Sequence, residues 1–573
     1  MPVTNVEIAG ELEKLADLLE IDAANPFRVR AYRQAARVVG ALPRNVTEMV
    51  AAGEDLDALP GIGPDLAAKI ATLARGETLP LLTALTAKNP ADITSLLTLP
   101  GLGPKRVHAL REALGIDSIE KLKAALAAGA LSGVPGFGAS IIDRLKEALA
   151  QGAGVAPRMK LAAADQIVAP LLAAIRNSAG VAHAELAGSA RRRRETVGDL
   201  DIVAAAANAG PVMARFAGYE DVTEVLERGS TRASVVLRGG LQVDLRVVGE
   251  ESYGAALLYF TGSKAHSIAL RQIAVERGLK LNEYGLFRGT RRLAARSEAE
   301  LYKALGLTFI PPELREAEGE IEAARAHRLP NLVTLADISG DLHSHTNATD
   351  GNASLAAMAA AAKARGYAYM AITDHSRRMT VAHGLDPKRL ARQIEAIARL
   401  NRELENFTVL AGIEVDILEN GALDLPDDIL RRLDIVVGSI HTGFDLAMEK
   451  QTERLLRAMD NKLLNIVGHP TGRLINQRPP YAIDMERVIR GAKERGCFLE
   501  VNAQPDRLDL DEHHCRFAKE IGAKLAISTD AHDQAHFALM RYGVDQARRG
   551  WIEAEDVINT RPLAGLRKLL ARK

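Results

Sequence analysis

Two sets of residues in this chain have the types and spacing that metal-assisted phosphate chemistry needs. The first lies in "GSARRRRETVGDLDIV", Gly188 to Val203, where a small turn, four consecutive arginines and two aspartates fall within sixteen positions. Side chains of a strand alternate faces, so Asp199 and Asp201 point the same way while Leu200 and Ile202 enter the core. Two carboxylates on one face repel unless a cation lies between them, and Asp244 in the strand-like run "LQVDLRVV" offers a third. Three converging carboxylates suit a pair of magnesium (or manganese) ions, one activating a hydroxyl and the other clamping a departing pyrophosphate. Gly188 and Ser189 form a turn able to hold phosphate oxygens through N–H and hydroxyl, and Arg192 adds a charge for a β- or γ-phosphate. A lone Asp-x-Asp is usually a solvated edge; the ordered set Gly-Ser, Arg, Asp-x-Asp and a second strand Asp is far more specific. Of the four arginines only Arg192 is assigned to the site, and Arg191, Arg193 and Arg194 are read as facing DNA phosphate or solvent.

The second set begins in "GDLHSHTNATDG", where His343 and His345 stand two apart at the end of an expected strand and Asp350 follows on the loop. Further candidates close successive apolar runs: His375 in "ITDHS", Glu414 in "GIEVD", His441 in "GSIHTGF", His469 in "IVGHP", and Asp530 with His532 in "ISTDAH". One such histidine alone is more often structural or a cap. Six of the chain's fourteen histidines at strand ends, together with three acids, are not a chance pattern. Imidazole plus carboxylate suits manganese, zinc or iron and does not choose between them. Only Cys497 and Cys515 are present, which excludes a disulfide scaffold and a cysteine-rich zinc site.

The elements that must position these groups divide a chain too long for one core. Its 573 residues, 47% hydrophobic and 25% charged, have an ordinary soluble composition. The N-terminus has no basic-then-apolar leader and no run of apolar residues is long enough to span a bilayer, so a cytosolic protein without a membrane partner is expected. With 73 basic and 73 acidic residues the net charge is zero, which excludes a globally basic nucleic-acid binder. Locally the balance shifts: residues 1–100 hold nine Lys+Arg against thirteen Asp+Glu, and residues 101–300 hold 27 against 21. Contact with a polyanion therefore falls to placed donors and to the middle of the chain.

Residues 5–50 carry apolar positions at helical spacing, with a turn and a basic amphipathic helix over "NPFRVRAYRQAARVVGAL". A short repeat follows: "LPGIGPDLAAKI", "LPGLGPKRVHAL" and a weaker "VPGFGASIIDRL", with Pro60, Pro100 and Pro135 forty and thirty-five positions apart. Each is a Gly-x-Gly turn opening a helix, whose free N–H groups can bind a phosphate oxygen. From about Val155 the pattern is mixed α/β: "VGDLDIVAAA" and "GLQVDLRVVG" read as strands, Val222 to Leu237 supplies strands between them, and the segment from Ser252 reads as largely helical. Residues 312–334 are charge-rich and end in a Pro-containing turn, a linker signature. Beyond them, short apolar runs alternate with amphipathic helices in the βα rhythm of a barrel or layered domain.

The repeated turns resemble the helix-hairpin-helix motif, which implies DNA-backbone contacts by Gly61, Gly63, Gly101, Gly103 and Lys105. The Gly-Ser, Arg, Asp-x-Asp, Asp order looks like the palm of the nucleotidyltransferase superfamily. "YFTGSKAHSIALRQIAVERGLKLNEYGLF", Tyr259 to Phe287, closely resembles the thumb segment of family X DNA polymerases. By that resemblance Tyr259, Phe260 and Gly262 border the incoming nucleotide, Arg271 lies on the template side, and Arg246 with Glu283 match a pair coupled to subdomain closure. Ser267 stands where the family has a base-contacting Asn, which departs from the pattern. Tyr32 and Lys69 match the family's deoxyribose-phosphate lyase domain, but two supporting lysines of the vertebrate enzyme are Arg28 and Asp65 here. Asp65, one helical turn before Lys69, should stabilise the ammonium form and oppose a Schiff-base role.

The histidine set resembles the PHP (polymerase and histidinol phosphatase) domain, a distorted (β/α)7 barrel with a trinuclear metal site. All nine ligand positions of that family are filled. Together the resemblances imply a lyase-like helical domain (1–90), helix-hairpin-helix fingers (91–154), palm (155–250), thumb (251–315), linker (316–336) and PHP domain (337–573). The implied activity is template-directed filling of short gaps in DNA repair, as in base excision repair. The PHP domain would add 3′–5′ exonuclease activity, with 3′-phosphatase and abasic-site endonuclease activity. The implied partners are gapped or primer–template DNA and dNTPs, for a monomer in the bacterial cytoplasm, nucleoid-associated when on DNA. Two rivals are a template-independent nucleotidyltransferase joined to a phosphatase, and a DNA-end scaffold with inert centres. The repeats and "YFTGS" stand against the first, the twelve filled metal-ligand positions against the second.

Overall fold

The computed structural model describes residues 3, 5–42, 46–59, 61–89, 93, 96–99, 102–150 and 158–571. Contacts divide the chain into two units, Met1–Arg158 and Met159–Lys573. In the first, the Asn25 side chain accepts the Phe27 N–H at 2.9 Å and Pro26 occupies the first helical turn, opening the helix Pro26–Ala41 where the sequence calls for it. Ile8, Leu12 and Leu15 of the helix Asn5–Ile21 share a core with Tyr32, Ala35 and Val39.

The three repeats fold alike. Each has a short 3-10 turn (Leu56–Ala58, Leu96–Thr98, Ala130–Gly133), a buried residue between the glycines (Ile62, Leu102, Phe137), and then a helix (Pro64–Ala74, Pro104–Leu114, Ala139–Ala150). The buried residue donates its N–H to the carbonyl three positions back in every copy: Ile62 to Leu59 at 3.0 Å, Leu102 to Leu99 at 3.0 Å, Phe137 to Val134 at 3.1 Å. The weakest repeat keeps the hairpin because an apolar anchor and backbone bonds build it, and neither needs the second proline.

The second unit opens with the two-stranded pair β1 (Met159–Lys160) and β3 (Thr196–Val197) beside a five-stranded sheet. That sheet holds β2 (Val181–Leu186), β4 (Asp199–Ala206), β5 (Val222–Arg228), β6 (Arg232–Leu237) and β7 (Gln242–Val248), in the order β2-β4-β7-β6-β5. Leu200, Ile202 and Ala204 point into a core with the helices Leu161–Arg176 and Ala209–Ala217. Val203 and Ala205, on the face shared with the aspartates, are covered by Tyr253, Ala256 and Leu257 of the helix Tyr253–Thr261.

The segment from Ser252 departs from the largely helical expectation. After the helices Tyr253–Thr261 and Lys264–Glu276 comes a three-stranded antiparallel sheet, β8 (Lys280–Asn282), β9 (Gly285–Arg288) and β10 (Arg291–Ala294), before the helix Glu298–Ala304. The Asn282–Gly285 and Gly289–Thr290 turns supply the hairpin chemistry that the apolar pattern hid. The region read as a linker is built into the fold: Arg315 is fully buried and donates to Glu298 and to the Ile310 carbonyl, and Glu320, equally buried, meets His266 at 2.6 Å. Its charges are paired, which composition alone cannot distinguish from solvated.

The C-terminal part is a nearly closed barrel of seven parallel strands in sequential order: β11 (Gly340–Asp341), β12 (Tyr369–Ile372), β13 (Thr408–Asp416), β14 (Ile435–Ser439), β15 (Ile466–Val467), β16 (Phe498–Asn502) and β17 (Leu525–Ser528). Leu342, Ala371, Leu410, Val437, Ile466 and Ala526 pack with Leu566 and Leu570 of the last helix, while the opposite strand faces meet the crossover helices. A bridge between Ser344 and Ala531, just past β11 and β17, joins the two ends of the sheet at the level of the histidines.

Candidate active sites

In the palm, parallel pairing puts Asp201 opposite Asp244, with Asp199 opposite Gln242 two positions earlier. Asp199 and Asp201 share one face, as alternation requires, and the register brings Asp244 onto it. Asp199 is exposed and the other two are half-buried. Burial first, then the charges of Asp199 and Asp244, push the Asp201 carboxyl up to about 7. Uncompensated negative charge of this kind fits divalent cations. The triad is open: it is not among the groups whose ligand atoms all lie within 4.8 Å of one another.

Gly188 has φ +58°, and a Cβ there would stand 2.3 Å from Asp201 Oδ2. Only a bare backbone lets the Gly188–Ser189 turn approach the carboxylate this closely. Arg192 donates Nε to Glu316 at 3.0 Å and Nη1 to the Thr261 carbonyl at 2.5 Å, and Nη1 lies 3.2 Å from where a Gly262 Cβ would be. Phe260 packs at the edge of the helix covering the Asp face, with the Arg246 guanidinium 5.1 Å from its ring centre. Tyr259 is exposed and meets Phe260 edge-on. Ser267 and Arg271 lie one turn apart on the helix Lys264–Glu276, the first half-buried and the second exposed. Among the described residues no ion pair joins Arg246 to Glu283, so the expected pair is not formed in this conformation.

Three of the four arginines, Arg191, Arg192 and Arg193, are not solvated. Arg191 makes a two-pronged contact with Glu298 at 2.8 Å, and Arg193 reaches Asp165 at 3.0 Å and the barrel's Asp545 at 2.7 Å. Assigning these two to DNA phosphate or solvent is corrected: they tie the palm to the thumb and to the barrel. Arg194 is the most exposed of the four, 3.7 Å from Glu316 and 3.8 Å from Glu512.

In the barrel, all nine expected ligands converge at the C-terminal ends of the strands. His345, Asp350, His375 and His532 form one group within 4.8 Å; His343, His345 and Asp530 form a second; His375, Glu414 and His441 form a third. His469 joins through Glu414 Oε1 at 3.0 Å. Glu414 bridges, with Oε2 2.7 Å from His375 Nδ1 and Oε1 3.3 Å from His441 Nε2. His343 Nε2 and both ring nitrogens of His345 are buried without a hydrogen-bond partner, and His375 Nδ1 and Glu414 Oε2, although close, are not aligned for a hydrogen bond with each other. Buried polar atoms are rarely left so, and orphaned donors facing one pocket are what metal ions would satisfy. Burial, then the positive neighbours His532 and His375, push His345 down to about 4, which keeps its lone pair free.

Outer partners orient these ligands, and the sequence reading missed them. Glu500, fully buried on β16, accepts His343 Nδ1 at 2.7 Å and the His469 backbone N–H at 2.7 Å. Asp416 accepts His441 Nδ1 at 2.9 Å, and Asn502 donates to Asp530 Oδ2 at 3.1 Å. Asp341 receives the His343 N–H at 3.1 Å and the Thr529 hydroxyl at 2.5 Å. Such contacts fix ring orientation and raise ligand basicity. Their signal was present: acids within apolar strand runs, as in "CFLEVN" and "GIEVD", are costly unless they serve a buried partner.

In the helical unit, Gly61 (φ +74°) and Gly63 sit exposed before the helix Pro64–Ala74, and Gly103 and Lys105 are exposed at the start of Pro104–Leu114. Gly63 and Gly103 have ordinary negative φ and open space where a Cβ would be. The fold itself does not require glycine there; a close-approaching ligand would. Gly101 lies outside the described residues. Lys69 is bonded to Asp65 and stands 5.6 Å over the Tyr32 ring. Burial lowers its pKa, but Asp65 and Tyr32 outweigh burial and hold it above the usual lysine value.

Comparison with known proteins agrees with this geometry. Residues 3–79 match a helix-hairpin-helix domain, 93–151 a tandem helix-hairpin-helix, 256–316 the DNA polymerase beta thumb and 341–504 the PHP domain. The tandem match takes in the weak third repeat. The chain is 38% identical over 570 residues to the DNA polymerase/3′–5′ exonuclease PolX of Bacillus subtilis, covering 99% of each protein. A probable phosphatase of Thermoanaerobacter sp. is 32% identical over 232 residues, 38% of this chain and 89% of that protein. One from Shewanella is 30% identical over 251 residues, 40% of this chain and 91% of that protein. A match along the whole chain favours neither the inert scaffold nor the template-independent enzyme. Among the described residues no helix is long and apolar enough to cross a membrane. Fold, site geometry and a full-length match coincide: this chain belongs to the bacterial family X DNA polymerases that carry a C-terminal PHP domain.

Proposed function

We propose that the chain fills short gaps in damaged DNA at the palm and trims the 3′ end at the barrel, in the bacterial cytoplasm and at the nucleoid. Its partners are gapped or primer–template DNA and deoxynucleoside triphosphates. The observation that carries the reading is the presence, in one unit, of two separate cation-seeking sites: the Asp201–Asp244 register in the palm and the converged ligands in the barrel. Asp199, Asp201 and Asp244 would hold two magnesium (or manganese) ions, and the nine barrel ligands three ions of manganese, zinc or iron. The ions supply hydroxyl activation and charge neutralisation at phosphorus.

The chain's own residues do the rest. Gly188 and Ser189 offer backbone N–H and hydroxyl to the triphosphate beside Asp201, and Arg192 adds its charge. Tyr259, Phe260 and Gly262 border the sugar and base, and Ser267 and Arg271 face the base pair. Gly61, Gly63, Gly101, Gly103 and Lys105 grip the backbone flanking the gap. In the barrel, Glu500 and Asp416 hold His343 and His441 in the tautomers that leave Nε2 for a cation. The barrel also removes 3′-phosphates and cuts at abasic sites. Lyase chemistry at Lys69 is not part of the proposal, because its ammonium is paired with Asp65.

Separation-of-function variants test this. Asp199→Ala with Asp201→Ala abolishes primer extension on a one-nucleotide gap and leaves 3′ degradation intact. His343→Ala or His469→Ala does the reverse. Extension surviving the first change, or wild-type degradation surviving the second in a clean preparation, overturns the assignment.

A further inference from the structure

Arg192 is held from two sides. Its Nε and Nη1 are spent on Glu316 and the Thr261 carbonyl, and its own backbone carbonyl accepts Arg549 Nη1 at 2.9 Å. Arg549 lies on the barrel helix Met540–Arg549, its side chain only 2% exposed, and the same Nη1 reaches Glu316 Oε1 at 3.2 Å while Nη2 donates to Glu512 at 2.8 Å. One carboxylate oxygen of Glu316 therefore serves both the palm arginine and the barrel arginine. Glu316 ends the segment that matches the thumb, so the clamp joins palm, thumb and barrel three residues after the Gly188–Ser189 turn. Three guanidinium groups (Arg192, Arg194, Arg549) share two carboxylates (Glu316, Glu512), and Arg192 is also close enough to Asp201 to feel its charge.

We propose that Glu316 and Arg549 are positioning residues for the nucleotide triphosphate: the barrel, through this clamp, orients the guanidinium with which the palm reads phosphate. The inference rests on the reading of Arg192 as a triphosphate contact. The geometry favours orientation because the bonds to protein acceptors use Nε and Nη1 and fix the plane of the fork, leaving Nη2 for the ligand. A guanidinium fixed before the ligand arrives gives up little freedom on binding it. The barrel thereby has a part in synthesis distinct from its own chemistry.

Single-nucleotide insertion kinetics on gapped DNA, with the full-length protein and magnesium, test the proposal. Glu316→Gln keeps the shape and removes the charge; it raises KM for the dNTP about tenfold with kcat changed less than about threefold. Arg549→Lys, which keeps charge but loses the fork, raises KM in the same direction. Neither alters single-strand degradation at the barrel. The effect of Glu316→Gln disappears in an Arg192→Ala background, since a positioning residue has nothing left to position. If Arg192→Ala itself leaves KM unchanged, the triphosphate reading of Arg192 fails. If Arg192→Ala raises KM but Glu316→Gln and Arg549→Lys do not, or if the effects add in full, that reading stands and the clamp is overturned. A Glu316→Gln protein that melts early is replaced by Arg549→Lys, whose KM decides alone.

Discussion

In the barrel, His343 is fully buried with Glu500 behind it, His441 rests on Asp416, and Glu414 reaches several imidazoles at once. In the palm, Asp199 is exposed and Asp201 faces two like charges, with Gln242 touching Asp244 at 3.3 Å from each oxygen. One cage is finished before any substrate arrives and the other is not. A finished cage would keep its cations as part of the core, whereas half-exposed carboxylates would hold a divalent cation weakly until substrate phosphates complete the coordination. The contrast suits the tasks: trimming needs only a 3′ end, while synthesis should wait for a triphosphate.

The largest expected effect attacks this contrast directly. After gel filtration into buffer without divalent ions, primer extension falls by about a thousandfold or more and returns on adding magnesium, while single-strand degradation persists and metal analysis finds transition metal on the chain. Equal loss of both activities, with no metal retained, removes the distinction.

Next comes Gly188→Ala. A methyl group 2.3 Å from Asp201 Oδ2, at φ +58°, must displace the carboxylate or the turn. Extension drops about a hundredfold and degradation is unchanged. Near-normal extension would mean that the turn and Asp201 do not act together. Glu500→Gln probes the other cage: it keeps size but weakens the hold on His343, so degradation falls about ten- to a hundredfold with reduced metal content. Full activity with full metal would show that His343 needs no outer partner.

The difference between the sites also governs what could be read from the chain. Alternation fixed the common face of Asp199 and Asp201, because a strand allows no other arrangement, whereas Asp244 joins them only through the β4–β7 register. The histidines were legible because each closes an apolar run, where β-strands deliver side chains to one rim. The outer acids were legible only as acids out of place in apolar runs; the partners of Glu500 and Asp416 were not, since nothing local says which imidazole they face. The arginine run misled for a related reason: Arg191 and Arg193 are neutralised by Glu298, Asp165 and Asp545, partners far away in sequence. Long-range pairing, which local pattern cannot supply, also turned the apparent linker into buried Arg315 and Glu320.

The smallest expected effect concerns the helical repeats, where a third way of meeting phosphate is at issue, through bare backbone rather than metal or guanidinium. Gly63 and Gly103 head their helices with room for a methyl group inside the fold. Alanine at both costs at most about 1 kcal/mol per helix cap, so the protein still folds. If DNA phosphate lies against those N–H groups, the double variant binds gapped DNA about three- to tenfold more weakly. No charge is removed, so the slope of log affinity against log salt stays as it was, whereas Lys105→Ala shallows that slope by about 0.9 if it neutralises one phosphate. A changed slope in the glycine variant, or unchanged affinity, would mean that these turns are only connections between helices and that the grip on DNA lies elsewhere.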